Sequence, residues 1–335
     1  MSHLKKVETS AEYNAYYNSE EYDAPNVTWV GGAINTVYYD SNLCLLKILP
    51  FIENTPRRIL LFSGNTITKE HVNALSHTNN DTVIVGDSIT AIYDQAFENY
   101  SGLKNIKFSD KLLSIRNSAF ANCTGLTSIT IPKSVTSMQG VPFNGCTNLN
   151  RVVIEDLISW MNITFTQSNS NPLYYAHNLY IKDTLLENVV IPEIVTEIKP
   201  CVFMNCQSIT NVTFHNFVTK IGSNAFRGCT GLTTLNIPDS VTVIEAGAFT
   251  GCTGLTNVTI GSGISTLSGA IFNGCTNITS MTIMATVPPT FLALPVASSV
   301  FSGTYPIYVP ASAVDTYKSA SGWTNYASRI QAIPS

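Results

Sequence analysis

Phe120 to Met138 reads FANCTGLTSITIPKSVTSM, and Phe249 to Leu267 reads FTGCTGLTNVTIGSGISTL. The two stretches share an aromatic, a cysteine three residues on, a Thr-Gly-Leu-Thr turn and an alternating run after it. Outward from them the aromatic keeps time: Phe97, Phe120 and Phe143 are 23 residues apart, and so are Phe203, Phe226, Phe249 and Phe272. A period of this size marks a solenoid, because one short coil cannot bury its own apolar face and must stack on a near-copy of itself. Twenty-three residues before Phe203 stands Tyr180, with Asp183 in the cysteine place, Leu186 in the leucine place and Ile191–Pro192 at the strand end. That register gives eight coils, beginning at 97, 120, 143, 180, 203, 226, 249 and 272. The coil that starts at Phe143 is 37 residues long, 14 more than the others.

Each coil divides into three pieces. In Leu126-Thr-Ser-Ile129-Thr-Ile131 the isoleucines alternate inward, which predicts a short strand, and Pro132 ends it because proline cannot donate to a ladder. Val135-x-x-Met138 is too short for a helix and predicts a second brief extended segment. Ser118 to Cys123 predicts a tight helical or 3-10 turn.

Composition narrows the function classes. The net charge is −4 and charged residues are 12%, so no electrostatic footprint for nucleic acid is present. No apolar run approaches the 18 or so residues of a membrane span. The start, MSHLKKVETSAEYNAYY, lacks the apolar stretch of a signal peptide. The chain is then either not exported by that route or missing its signal. The histidines show no metal spacing, and no nucleophile elbow, P-loop or dinucleotide fingerprint occurs. The expectation is a chain without catalytic residues, cofactor or metal.

Six of the eight cysteines, Cys123, Cys146, Cys206, Cys229, Cys252 and Cys275, stand three residues after an anchor aromatic. Aligned residues of stacked coils sit about 4.8 Å apart with side chains parallel rather than converging. A column of buried free thiols is expected, since Cys packs as a small hydrophobe. Zinc would need paired ligands at short spacing, and there is no C-x-x-C.

The phrase aF-x-x-C-x-x-L-x-x-I-x-I-P-x-x-V-x-x-I, repeated from about Thr82 to Ile283, resembles the leucine-rich repeat of the BspA-like type. The ending, VPPTF followed by IYVPASAVDTYKSASGWTNYASRI, is similar to the terminal segment such proteins often carry. The resemblance implies a right-handed solenoid used for surface adhesion or protein interaction in host-associated microbes, with no catalytic residues. Tyr100 and Asp183 replace cysteines of that phrase, and His215 and Gly261 stand where proline is usual.

The expected organisation is an aromatic-rich segment or small domain over 1–55, a cap or degenerate first coil over 56–81, the repeat array over 82–286 with its insertion at 155–177, and a second cap over 287–335. A solenoid needs both caps because each end exposes an apolar cross-section. Phe62 lies 23 residues before Val85, which makes RRILLF a candidate first strand, with Thr68 capping a helix over 69–75. At the other end, Ala311 to Ser319 suits a short helix, and Trp323, Tyr326 and Ile330 can cover the last coil. Tyr13, Tyr16, Tyr17, Tyr22, Trp29, Tyr38 and Tyr39 crowd the first segment, either as a separate domain or as a strand-rich extension of the cap.

Two places can carry a binding function. From Thr210 onward the outward strand positions, among them Asn211, Thr213, Thr234 and Asn236, are uncharged hydroxyl and amide groups. Such a face suits neutral hydrogen bonds to glycans or protein loops, although Thr is also simply at home on exposed strands. The insertion carries Trp160, Phe165, Tyr174, Tyr175 and His177, and large aromatics are the usual anchors of interfaces. The same aromatics suit the core if they fold back on the coils. Contact is expected around Trp160, Tyr174, Tyr175, Asn211, Thr213, Thr234 and Asn236. The reading is a monomeric, cell-surface or secreted module for a protein or glycan. The alternative is a structural part of a phage tail or secreted assembly.

Overall fold

The computed structural model describes residues 4–7, 36–40, 44–48, 59–62, 66–73, 81–292 and 300–334. It divides into two compact units, Met1–Glu155 and Asp156–Ser335. Of the crowded N-terminal aromatics, Tyr13, Tyr16, Tyr17, Tyr22 and Trp29 lie outside the described residues.

In the first unit Leu4–Val7, Thr36–Asp40 and Cys44–Ile48 pair antiparallel. The repeat then begins: Ile59–Phe62 pairs parallel with Asp81–Val85, Phe62 opposite Val85, and Asp81–Val85 pairs with Leu103–Lys107. Ser128–Ile131 pairs with Arg151–Ile154 one period on, Ser128 opposite Arg151. Ile129 and Ile131 point into the core while Thr130 faces out, the two-residue alternation of a half-buried strand. A second row of two-residue strands, Thr66–Ile67, Ala91–Ile92, Ser114–Ile115 and Ser137–Met138, runs parallel in the same register. Lys69–Asn73 is a short helix. Positions 74 and 75 of the expected helix lie outside the described residues.

The second unit repeats the plan. Asn188–Val190 pairs with Asn211–Thr213. Thr234–Ile237, Asn257–Ile260, Ser280–Ile283, Ile307–Val309 and Ile330–Ala332 form one parallel sheet. The short row is Glu197–Ile198, Lys220–Ile221, Val243–Ile244, Thr266–Ser268 and Thr290–Leu292. Near the C-terminus Ala311–Ala313 is a 3-10 turn and Val314–Ser319 an α-helix. Trp323, Tyr326 and Ile330 are buried there. The Trp323 ring lies 4.9 Å from Phe291 and its Nε1–H donates to the Pro289 carbonyl at 2.8 Å.

The third side of each coil is a tight turn of the 3-10 kind, as expected, but not a continuous helix. Ala121 N–H bonds Ser118, Cys123 bonds Phe120 and Leu126 bonds Cys123, a chain of single i to i−3 turns. Left-handed residues interrupt it, so no helix can propagate. Two residues past the aromatic the backbone sits at φ between 59° and 75° in Asn122, Gly145, Asn205, Gly228, Gly251 and Gly274. Only Asn and Gly occupy this place, because a Cβ is strained at positive φ and Asn tolerates it best.

The turns bring the phenylalanines into columns, fully buried with near-parallel planes. In the first unit the centroids of Phe97, Phe120 and Phe143 are 5.1 and 5.4 Å apart. In the second, Phe203, Phe226, Phe249 and Phe272 follow at 5.2, 5.4 and 5.5 Å, and Phe301 extends the column at 6.4 Å. Such offset stacking adds about 0.5–1.5 kcal/mol per pair beyond the burial of each ring.

Tyr180 is not part of this column, which corrects the sequence reading. It lies half-exposed on Leu179–Ile181, which turns back on Thr184–Leu185 as an antiparallel hairpin with Tyr180 opposite Leu185. The strand half of that coil does hold register, with Asn188 opposite Asn211 and Glu197 opposite Lys220.

Candidate functional site

The long coil explains why Tyr180 is not needed where the period puts it. In ordinary coils the aromatic's N–H donates to a carbonyl of the next coil: Phe97 to Ala119, Phe203 to Ala225 and Phe226 to Ala248. The carbonyl in that place ahead of Phe203 belongs to Val202. It accepts instead from the Trp160 indole Nε1–H at 3.0 Å and the Asn171 side-chain amide at 3.1 Å. Asn171 is completely buried, gives a further bond to the Cys201 carbonyl at 2.8 Å and accepts from Leu173 N–H at 2.8 Å. Two side chains thus supply the donor that a displaced backbone would have given.

Trp160 is set in place by the helix Leu157–Met161, whose N-cap Asp156 accepts from Ser159 N–H at 2.8 Å and Ser159 Oγ at 2.9 Å. Its exposure is 1% and its ring packs on Phe165 at 5.4 Å. Trp160 is therefore a core residue and leaves the candidate contact surface. Tyr174 is 40% exposed and meets the half-buried Tyr175 edge to face at 5.0 Å, on the helix Leu173–Ala176. The Tyr174 carbonyl accepts from Asn205 Nδ2, which ties this pair to the turn side of the next coil.

On the strand face Thr213, Thr234 and Asn236 are exposed and Asn211 is half-buried. Asn211 Nδ2 donates to Thr213 Oγ1 at 3.4 Å. Much of the neighbouring hydroxyl chemistry is already committed. Thr210, Thr256 and Thr279 each donate Oγ1–H to the carbonyl one coil back, at 3.0–3.2 Å, and Thr219, Thr242 and Ser265 do the same along a second line. These hydroxyls zip coil to coil and offer a ligand only acceptor lone pairs. Thr234 and Asn236 keep the donors.

Among the described residues no three His, Cys, Asp or Glu groups gather as a metal site, and no helix is long and apolar enough to cross a membrane.

A family model for the BspA type leucine-rich repeat region matches residues 68–185 and 175–290, in six copies. The chain belongs to this family. No curated protein matches it. Among solved structures, a leucine-rich cell surface protein from Faecalibacterium prausnitzii is 18% identical, with 80% of this chain and 98% of that one covered and a TM-score of 0.30. A leucine-rich repeat protein from Eubacterium ventriosum is 18% identical over 76% of this chain and 84% of its own, TM-score 0.39. The pneumococcal vaccine antigen PcpA is 17% identical over 78% and 68%, TM-score 0.42.

In this BspA-type chain the cysteine column is tied into the stack. Cys123, Cys146, Cys229, Cys252 and Cys275 each donate Sγ–H to the carbonyl of the phenylalanine 26 residues earlier, at 3.0–3.1 Å. Cys206, whose preceding coil carries Tyr180 in place of a column phenylalanine, meets Ser208 Oγ at 3.4 Å. Burial pushes the Cys146 thiol up to about 12 and Cys206 to about 11, and raises Cys123 and Cys229 well above the ordinary value.

The BspA-type phrase also exposes what the sequence reading passed over. Two residues after the strand-ending proline, Ser134 and Ser240 donate Oγ–H one coil back, each at 2.7 Å, to Leu112 and Val218. In two successive coils that place holds Ile194 and Phe217, 76% and 61% exposed. The signal was available as two large apolar residues in a column that elsewhere in the ordinary coils reads Lys111, Ser134, Ser240, Gly263 and Thr286.

Proposed function

We propose that the chain is a non-enzymatic binding module, cell-surface or secreted, that recognises a protein or glycan through neutral hydrogen bonds. The coils of each unit are read as right-handed solenoid segments, with the residues around Trp323 and Tyr326 closing the C-terminal end. The observation that carries the reading is the uncharged outward strand face from Thr210 onward, where Thr213, Thr234 and Asn236 stand exposed on regularly spaced parallel strands. Fixed strands hold amide and hydroxyl groups at set intervals with little ordering cost on binding, which is what recognition of a polar, uncharged partner requires. Tyr174 and Tyr175 supply aromatic surface, the usual partner of sugar rings and interface side chains. Asn211 completes the contact set by orienting Thr213.

A glycan array combined with a pull-down on the full chain identifies the partner. Against the best hit, Asn236→Ala and Tyr175→Ala are expected to weaken binding about tenfold or more, roughly 1.4 kcal/mol, with little change between low and high salt. Affinity unmoved by both substitutions, in protein of unchanged stability, would sink this placement.

A further inference from the structure

The two coils that carry Ile194 and Phe217 run side by side over their corner. Val190 is opposite Thr213 and Glu197 is opposite Lys220, seven residues on in both strands, so Ile194 and Phe217 fall opposite one another. Both corners make the same turn, Val195 N–H to Pro192 O at 2.8 Å and Val218 N–H to His215 O at 3.3 Å. His215 joins them. Its Nδ1 accepts from Phe217 N–H at 3.1 Å, and since a backbone N–H can only donate, Nε2 carries the ring proton and gives it to the Pro192 carbonyl at 2.9 Å. The ring itself lies 5.7 Å from Phe217. A histidine in a proline place therefore fixes the backbone that displays Phe217.

Val190, 64% exposed, adds a third apolar side chain four residues before Ile194. Local hydrogen bonding does not explain Ile194 and Phe217, because Ser134 and Ser240 at the same place each give a coil-to-coil hydrogen bond that these two forgo. Contiguous apolar side chains held out to water mark interaction surfaces. The rim is acidic: Glu187, Glu193 and Glu197 are exposed, and among the described residues none makes a salt bridge. Of the nearby cations, Lys220 stands opposite Glu197 but bonds Glu245 at 2.6 Å, and Lys199 donates to the Asn162 carbonyl, which leaves the three glutamates in excess.

We propose that Val190, Ile194 and Phe217, rimmed by Glu187, Glu193 and Glu197, form a second docking surface for a polypeptide segment that presents an apolar side chain between lysines or arginines. Charge complementarity selects that occupant. A second copy meeting the same patch would bring two sets of exposed carboxylates together in a chain of net charge −4, an unfavourable self-complement. This surface shares no residue with the neutral contact set described above and adjoins it where Val190 stands opposite Thr213.

The test pans a random phage-displayed peptide library on the full chain at low salt and sequences the peptides lost when Ile194→Ser/Phe217→Ser replaces it. Serine stands at this place in the following coil as Ser240, and also as Ser134, so the double variant should keep the fold, and an unchanged urea midpoint checks that it does. Expected are peptides with Leu, Ile, Phe or Trp flanked by Lys or Arg. A selected peptide should bind at least tenfold more weakly to the serine variant and several-fold more weakly to Glu187→Gln/Glu193→Gln/Glu197→Gln, which should also lose the salt dependence. Peptides without basic bias, equal binding to the serine variant, or sedimentation showing a dimer that the serine variant abolishes would each overturn the proposal, the last in favour of self-association.

Discussion

Replacing Trp160 separates a core residue from a ligand anchor. The side chain is 1% exposed, packs on Phe165 at 5.4 Å and gives one of two bonds to the Val202 carbonyl. Trp160→Ala removes a buried indole, and large-to-alanine core changes of this kind cost about 3–5 kcal/mol. Trp160→Phe is the finer probe. It keeps a ring and deletes the Nε1–H, while Asn171 still serves Val202 at 3.1 Å, so the carbonyl is not orphaned. The lost bond is then worth about 0.5–1.5 kcal/mol, and the smaller ring adds a comparable packing loss, for roughly 1–3 kcal/mol in all. Urea unfolding followed by far-UV circular dichroism measures both, with binding to the array-derived partner measured in native protein. Alanine that leaves the unfolding midpoint in place while abolishing binding would refute the reasoning and return Trp160 to the surface. A phenylalanine variant as unstable as the alanine variant would refute the division of labour with Asn171.

Phe226 has three ring partners, Phe203, Phe249 and Phe214, whereas Phe203 has one among the described residues of its unit, Phe226 itself. Phe226→Leu should therefore cost about 1–3 kcal/mol more than Phe203→Leu, the value of two further aromatic pairs, and equal unfolding midpoints would contradict it. Burial lifts Cys146 to about 12 and Cys206 to about 11, against about 8.5 in an unfolded chain. Their neutral thiols contribute stability that is complete below about pH 8.5 and lost as pH rises through the folded values, so the urea midpoint should fall between about pH 9 and 11, less steeply in Cys146→Ala. Ellman's reagent should label these cysteines only after unfolding. Ala270 sits at φ 57°, so Ala270→Gly relieves about 1–2 kcal/mol of left-handed strain against about 0.5–1 kcal/mol of added unfolded-chain entropy, and a small rise in melting temperature is expected.

The columns were legible because a residue repeated at a fixed interval must land on its own copy. Phe226 opposite Phe249, and strands in register at Thr234 and Asn257, follow from counting alone. Counting fails where a coil changes length, since the period says where a residue would fall and not whether the chain still turns there. Tyr180 illustrates this. Two residues past every true anchor the backbone needs the left-handed region and the sequence supplies Asn or Gly, yet Lys182 follows Tyr180 and serves a hairpin turn instead. Trp160 was misplaced for a different reason. A tryptophan in an insertion carries no mark of burial in its own sequence, and what buries it is an unserved carbonyl 42 residues away. Ile194 and Phe217 were visible as large apolar residues where ordinary coils carry small or polar ones, but reading them as exposed required the corner that His215 builds.

The hydrogen bonds that join neighbouring coils nearly all span 22 to 26 residues, whether they run strand to strand, thiol to carbonyl or hydroxyl to carbonyl. The molecule's length is thus quantised. Losing or gaining a whole 23-residue coil from the ordinary repeats leaves every remaining bond with a partner of the right kind, whereas a single-residue deletion in one strand misaligns the pleat against both neighbours. Recombination between adjacent copies in the gene makes whole-coil changes by its nature. Natural variants of this chain should then differ in coil number far more readily than in coil length, and the long coil, whose side chains stand in for a backbone donor, should be the member that is neither copied nor lost.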